Sequence, residues 1–391
     1  TNLKLKATYG KVGNDQIGSI YDRFFYLSQI NMEGTGYWFG ASRLYVPGIT
    51  IVRYANPLVT WEIAKKLNIG IELGLFDDFT ILADYFHEIR SNILQTRADV
   101  PTTMGLRSIP QANIGVAEGS GFEAELKYQK SFSKNLWLTV NGNFTYATGR
   151  FKKYEEQDFS DVPWRSQVGV KLNQPRGLIA ERLFVDDKEV ANSPLQQFGE
   201  YQGGDIKYKD INNDGLINDD DMVPIGFPTI PEIIYGTGFS AGYKAFDLSI
   251  FFQGSARSSF FIAPDAITPF VNGGQRGLLL YIADDHWSEN NRDVYAFWPR
   301  LSEYAIANNN KPSTHWLQNG AFLRLKQVEI GYTLPEKLTQ KAFINKLRFY
   351  VSGTNLLLWS KFKMWDPEMA GNGLGYPVQR VINFGVNVNL K

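Results

Sequence analysis

At 391 residues, the chain is long enough for two or three ordinary domains or for part of one large β structure. Lysine plus arginine equals aspartate plus glutamate at 40 each, so charge gives no case for a nucleic-acid partner. There is no cysteine, which excludes disulfides and thiolate metal sites, and no apolar run approaches the roughly 20 residues of a membrane helix. Membrane strands stay open, because each needs only about 9–11 alternating residues.

The chain opens at Thr1 in strand-like sequence, without a signal peptide or initiating methionine, so a processed or truncated piece is expected. Leu3, Leu5, Ala7 and Tyr9 alternate with polar residues and predict a first strand. Residues 11–60 show no sustained period and carry Gly34, Gly36, Pro47, Gly48 and Pro57, which predicts a long irregular loop. Leu67, Ile69, Ile71, Leu73 and Leu75 lead into an Asp77-Asp78 turn, and Phe79, Ile81, Ala83 and Tyr85 begin the return. A loop follows through Asp99, Pro101, Gly105 and Pro110. Phe122, Ala124, Leu126 and Tyr128 then pair across Ser133-Lys134-Asn135 with Leu136, Leu138, Val140, Phe144 and Tyr146. On the opposite face stand Glu123, Glu125, Asn141 and Asn143.

Two further strands are expected near 165–173 and 177–185, flanking Gln174-Pro175. A long connection covers 186–231. Residues 233–243 and 246–252 form a hairpin about Lys244-Ala245, and another long connection spans about 261–320. The last strands lie near 322–333, 346–358 and 380–390. Apolar phase slips at Lys326-Gln327, as a β-bulge would produce, and a brief helix is expected near Pro335. The total is about twelve strands. Short turns alternate with long connections and are bracketed by aromatics (Phe76 and Phe79, Phe132 and Trp137, Tyr243 and Phe246). That pattern fits an all-β, antiparallel transmembrane barrel with short periplasmic turns and long extracellular loops. The alternative is a soluble extracellular β module, calcium-stabilised and glycan-binding.

The sharpest motif runs from Asp210 to Asp221. As a 12-residue calcium loop it offers Asp210, Asn212 and Asp214 at positions 1, 3 and 5, and Gly215 at 6. The Leu216 carbonyl stands at 7, Asn218 at 9 and Asp221 at 12, so one structural Ca²⁺ is expected. No nucleophilic triad stands out, and His87, His286 and His315 have no metal-ligand spacing. Glu123 and Glu125 could in principle be a glycosidase pair, but a charged lumen wall explains them more simply. No enzymatic activity is expected. Trp38, Trp164, Trp287, Trp298, Trp316 and Trp365 fall in the long connections as candidate substrate or partner contacts.

Gly204-Asp205-Ile206-Lys207-Tyr208-Lys209-Asp210, running into the calcium-like loop and on to Ile225-Gly226, resembles the SusC/RagA group of TonB-dependent outer-membrane transporters. Asn56-Pro57-Leu58-Val59-Thr60-Trp61-Glu62, the segment from Phe322 to Tyr332, and Asn355-Leu356 with Trp365-Asp366-Pro367-Glu368 agree in order and spacing. The resemblance implies the C-terminal half of a larger plugged barrel in the outer membrane of a Gram-negative, Bacteroidota-like bacterium. It also implies uptake of oligosaccharides or oligopeptides with a SusD-like surface lipoprotein, energised by the TonB–ExbB–ExbD complex. The plug, the N-terminal strands and the segment TonB would grasp are absent from this sequence, as is the usual final aromatic residue. The expectation is therefore a portion of a longer polypeptide.

Overall fold

The computed structural model describes residues 1–16, 23–271, 273–339, 343–371 and 373–390. Its dominant feature is a ten-stranded antiparallel sheet in which every strand pairs with the next wall strand in sequence. The strands are β1 (Asn2–Asn14), β2 (Glu62–Leu75), β3 (Phe79–Thr96), β4 (Gln111–Ser133) and β5 (Leu136–Lys153). They continue as β6 (Ile233–Tyr243), β7 (Phe246–Ala256), β8 (Phe322–Thr333), β9 (Ile344–Ser360) and β10 (Val381–Leu390). No described helix is long and apolar enough to cross a membrane.

Register carries the amphipathic pattern from strand to strand. One row reads Leu5, Ile71, Ala83, Ala124, Phe144 and Tyr235 across β1 to β6. Another reads Val140, Phe239, Ile250 and Val328 across β5 to β8, and Leu248, Ile330, Val351 and Phe384 align across β7 to β10. Every strand therefore contributes its apolar positions to the same face. The other face carries Lys4, Glu72, Leu82, Glu125, Asn143 and Gly236 in one such row.

The hairpin turns at 76–78, 134–135 and 244–245 and the connection 334–343 all lie at one end of the strands. Phe76 and Asp77 take positive φ (55° and 59°), as mirror-image hairpin turns require. At the other end, long connections span 15–61, 97–110, 154–232, 257–321 and 361–380. The expected bulge near Lys326 is present as register shifts between Phe251 and Phe252 and between Leu325 and Gln327. A short helix, Glu336–Thr339, follows Pro335 as anticipated.

Two expectations need correction. Among the described residues the sheet has ten strands, not about twelve, because 165–173 and 177–185 add no strand to it. Gly169 (φ 81°) and Asn173 (φ 57°) turn the backbone out of extension there. The region meets β5 at isolated bridges, Lys171 with Arg150 and Val168 with Phe151. Its strand pieces are Arg176–Gly177 and Ala180–Leu183, which pair with Val223–Pro224 and Ile206–Tyr208. Residues 11–60 are not wholly irregular either: Gln29–Phe39 and Leu44–Arg53 form a separate hairpin. The glycines that suggested a loop sit where two strands touch. A Cβ on Gly36 would stand 2.0 Å from the Val46 carbonyl oxygen, and Gly34 pairs with Gly48.

The hydrophobic core lies outside the sheet. Leu178, Leu183, Ile206, Tyr208, Ile217, Ile262, Ile282 and Trp316 are almost fully enclosed within the long connections. This second body sits on the 154–232, 257–321 and 361–380 connections, beyond one end of the strands.

Candidate functional site

Two surfaces can carry function: the polar face of the sheet and the loop body at its long-connection end. Glu123 and Glu125 oppose Asp84 and Leu82, and Asn141 and Asn143 oppose Gly238 and Gly236, all on the polar face. Those glycines leave room for the amides: a Cβ at Gly238 would lie 2.4 Å from the Asn141 amide oxygen. Near the short turns the same face holds a charge cluster. Arg348 Nε donates to Asp247 at 3.0 Å, and Nη2 donates to Glu329 at 2.7 Å.

The loop body is built around the Gly204-to-Lys209 segment. Gly204 has φ 85°, and its bare backbone lies against the Trp287 ring, 2.3 Å from where a Cβ would be. Asp205 is fully buried, accepts from the Gln202 N–H at 2.8 Å and the Asn309 side chain at 2.9 Å, and lies 2.9 Å from Arg300. Burial pushes the Asp205 carboxyl up, against the pull of Arg300 and these donors. Tyr208 donates to the Asn308 carbonyl at 2.7 Å, and Gln196 bridges the Ile206 carbonyl and Asn308. The segment thus ties the 154–232 connection to the 257–321 connection through satisfied buried polar groups, which specify one arrangement.

Glu189 anchors a second cluster in this body. Burial would raise its carboxyl, but Arg182 (2.6 and 3.0 Å), the Val185 N–H and Lys207 outweigh that and hold it at about 2. The root of the body is clamped to the wall. Glu232, just before β6, accepts from Thr148 of β5 at 2.6 Å and from Lys171 and Arg257 at 2.9 and 2.8 Å. Arg324 of β8 meets Asp366 at 2.7 Å and Glu368 at 2.6 Å. Sequence reading missed both clamps, because their partners lie far apart in the chain.

The six tryptophans divide. Trp287, Trp298 and Trp316 are core residues, so they present no open face to a ligand, contrary to expectation. Trp298 and Trp316 pack ring against ring at 5.2 Å, and Trp316 donates to the Asn309 carbonyl at 2.6 Å. Trp164 is half-buried and donates to the Asp220 carbonyl, and Trp365 donates to the Ala370 carbonyl and packs on Phe362. Trp38 alone of the six is fully on the surface. It sits beside Tyr45 near the tip of the 29–53 hairpin, with Tyr37, Phe39 and Leu44 also exposed.

The calcium-like loop is folded by its own side chains. Asp210 accepts from the N–H groups of Asn213 (2.7 Å) and Gly215 (2.9 Å), and Gly215 takes φ 82°. Asn212 accepts from Asp214 N–H and Asp214 from Leu216 N–H, at 3.1 and 2.8 Å. Asp221 is buried and accepts from Ile211 and Asn218 N–H, while Asn218 accepts from Asp220 N–H. Among the described residues, no three His, Cys, Asp or Glu side chains gather as a metal site. Any cation here would depend on the Asn212 and Asn218 amide oxygens and the Leu216 carbonyl as well as the carboxylates.

With this geometry in place, comparison with known proteins identifies the lineage. Residues 1–356 match the family described as TonB dependent receptor-like, beta-barrel, a family of receptors and transporters rather than of enzymes. TonB-dependent receptor P26 of Formosa agariphila is 27% identical over 99% of this chain and 40% of its own length. TonB-dependent receptor SusC of Bacteroides thetaiotaomicron is 22% identical over 100% of this chain and 38% of its own length. The solved RagAB peptide transporter superposes with a TM-score of 0.73 at 21% identity, covering 99% of this chain and 40% of that one. The chain spans about two fifths of the length of these relatives. It belongs to the TonB-dependent receptor β-barrel family, and its fold matches that of the RagAB transporter.

Proposed function

We propose that this chain supplies ten strands of wall and the large extracellular loop body of an outer-membrane importer for bulky nutrients. The cargo is an oligosaccharide or oligopeptide, delivered with a SusD-like surface lipoprotein and driven by TonB–ExbB–ExbD through other parts of the full protein. The carrying observation is the face of the sheet that stays apolar across all ten strands while leaving those side chains uncovered. Well inside the sheet, Ile69 of β2 and Ile330 of β8 on this face are 51% and 55% exposed. A soluble sandwich would cover that face with a second sheet; lipid is the solvent that suits it as it stands. On this reading Glu123, Glu125, Asn141 and Asn143 line the lumen, and the exposed Trp38 hairpin meets cargo or the lipoprotein. A Ca²⁺ ion held by Asp210, Asn212, Asp214, Leu216, Asn218 and Asp221 would stiffen the loop body.

The test is extraction of the protein from its native membrane in mild detergent, followed by peptide mapping of everything that co-elutes. A lipoprotein in near-stoichiometric amount is the expected result. A water-soluble species of about this chain's mass, with nothing attached, would overturn the proposal. Calorimetry on the same preparation should show Ca²⁺ binding that is lost in Asp210→Ala/Asp214→Ala, and no difference between the two proteins removes the metal from the reading.

A further inference from the structure

The apolar face of the sheet ends, toward the long connections, in a row that is not apolar. Lys11 of β1 stands directly opposite Lys65 of β2. In the same register Lys65 opposes Ile89, Ile89 opposes Glu118, and Glu118 opposes Arg150. Alternation places all of them on the face that carries Tyr9 and Leu67 one row nearer the short turns. Like charges placed directly opposite on neighbouring strands destabilise a sheet. Here no carboxylate of a described residue relieves them. Glu118 is taken by Lys152 at 2.8 Å and His87 at 2.8 Å, and the nearby Glu72 and Glu88 pair with Lys4, Lys6 and Lys66 on the opposite face. Lys11, Lys65 and Arg150 are all exposed.

What surrounds the lysine pair says where it sits. Going up β1 on this face, the residues are Leu3, Leu5, Ala7, Tyr9, Lys11 and Gly13. The Trp61 ring lies over Gly13, 2.9 Å from where a Cβ would be, and is itself exposed. Apolar residues, then a tyrosine, then two ammonium groups beside a tryptophan is the depth profile of a bilayer boundary. Two ammonium groups on strands about 4.8 Å apart also form a pocket of positive potential in which one phosphate can accept from both.

We propose that Lys11 and Lys65, flanked by Tyr9 and Trp61, bind the phosphate of an anionic membrane-lipid headgroup at the long-connection end of the wall. This rests on the apolar face being lipid-facing. The phosphate offsets part of the repulsion between the two lysines, and the lipid's acyl chains continue down the apolar rows below. The lipid therefore belongs to the leaflet on the side of the loop body.

The probe is phosphatidylglycerol against phosphatidylcholine, whose choline masks its phosphate, offered to the detergent-extracted protein in mixed micelles and in vesicles. Native mass spectrometry reads the lipid retained, and vesicle flotation reads insertion. Phosphatidylglycerol should be retained preferentially. At about five-fold per cation, Lys11→Gln/Lys65→Gln should weaken retention roughly 25-fold. Lys11→Arg/Lys65→Arg should restore it, and Arg150→Gln three strands away and Lys4→Gln/Lys6→Gln on the opposite face should leave it unchanged. Unaltered retention in Lys11→Gln/Lys65→Gln, or displacement of the lipid by inorganic phosphate alone, overturns the proposal. Failure to float with either vesicle would instead remove the lipid-facing reading beneath it. Flotation with both and no preference between the lipids would remove only the headgroup site.

Discussion

The wall and the loop body handle their large apolar side chains in opposite ways. In the wall, ordered strands expose one face that is apolar from the short turns up to the Lys11–Lys65 row, and Lys4, Glu72, Glu125 and Asn143 stand on the other. In the loop body, short strands and turns bury their tryptophans, tyrosines and isoleucines as a water-soluble domain does, around hydrogen-bonded groups such as the Tyr208 hydroxyl and the Asn309 amide. One chain therefore meets two solvents. The difference teaches that burial alone does not locate the important hydrophobic residues here: the same residue type is structural in one region and an interface in the other.

The largest effect that tests this contrast is expected inside the loop body. Trp316 is 1% exposed, stacks near Trp298 and donates a buried hydrogen bond. Trp316→Ala should cost roughly 3–5 kcal/mol of loop-body stability, read as earlier protease cleavage within 154–321 while the sheet's circular dichroism persists. Simultaneous loss of both signals would show that the two regions are one cooperative unit.

Next in size is a charge placed on either face of one strand pair. Phe239 lies mid-strand on the apolar face between Val140 and Ile250, whereas Thr139 and Ser240 face the other way. Phe239→Arg should destabilise the membrane-inserted protein by about 2–4 kcal/mol, and Thr139→Arg by much less. Denaturant titrations in lipid vesicles compare them. Equal costs would mean that both faces meet the same medium.

How much of this was legible in the sequence follows the same division. Period-two alternation in an antiparallel meander is a local signal, so the cores of the wall strands, the turns at 77–78, 133–135 and 244–245, and the bulge at Lys326 could be read directly. β1 nevertheless runs on past Tyr9 to Asn14, into the stretch expected to be loop. Alternation fails where a strand is held by backbone closeness, as in the Gly34–Gly48 pair, or where polar turns imitate a strand, as at 165–173. The polar-face positions of Glu123, Glu125, Asn141 and Asn143 followed from parity alone. Burial of Trp287, Trp298 and Trp316 did not, because it depends on 176–217 folding against 260–316, a long-range packing with no periodic trace. The lysine pair at 11 and 65 is visible only once β1 and β2 are in register.

A smaller effect separates the regions by pH. His315, in the loop body, donates to the Phe297 carbonyl at 2.8 Å, and burial lowers its pKa from 6.5 to about 4. The native ring is neutral where the unfolded ring is protonated, so between pH 6.5 and about 4 the unfolded state binds more protons. Loop-body stability should therefore fall as pH drops through that window and level off below it. His315→Gln should flatten that slope when protease resistance is followed against pH. A slope that survives the substitution would assign the dependence to another group.

The smallest stability effect should come from a tryptophan in the third environment, the free-standing hairpin. Trp38 is 61% exposed and touches Tyr45 near the tip, so removing it uncovers little that is now covered. Trp38→Ala should change unfolding stability by no more than about 0.5 kcal/mol, against the several expected for Trp316→Ala. Its consequence should appear instead in the amount of partner lipoprotein or cargo retained on extraction, because an exposed aromatic contributes energy only when something covers it. If Trp38→Ala destabilised the protein as Trp316→Ala does, the hairpin would be packed against another part of the molecule. If it changed neither stability nor retention, Trp38 would lose its place as a contact, and the tip residues Tyr37, Phe39 and Leu44 would be the next to substitute.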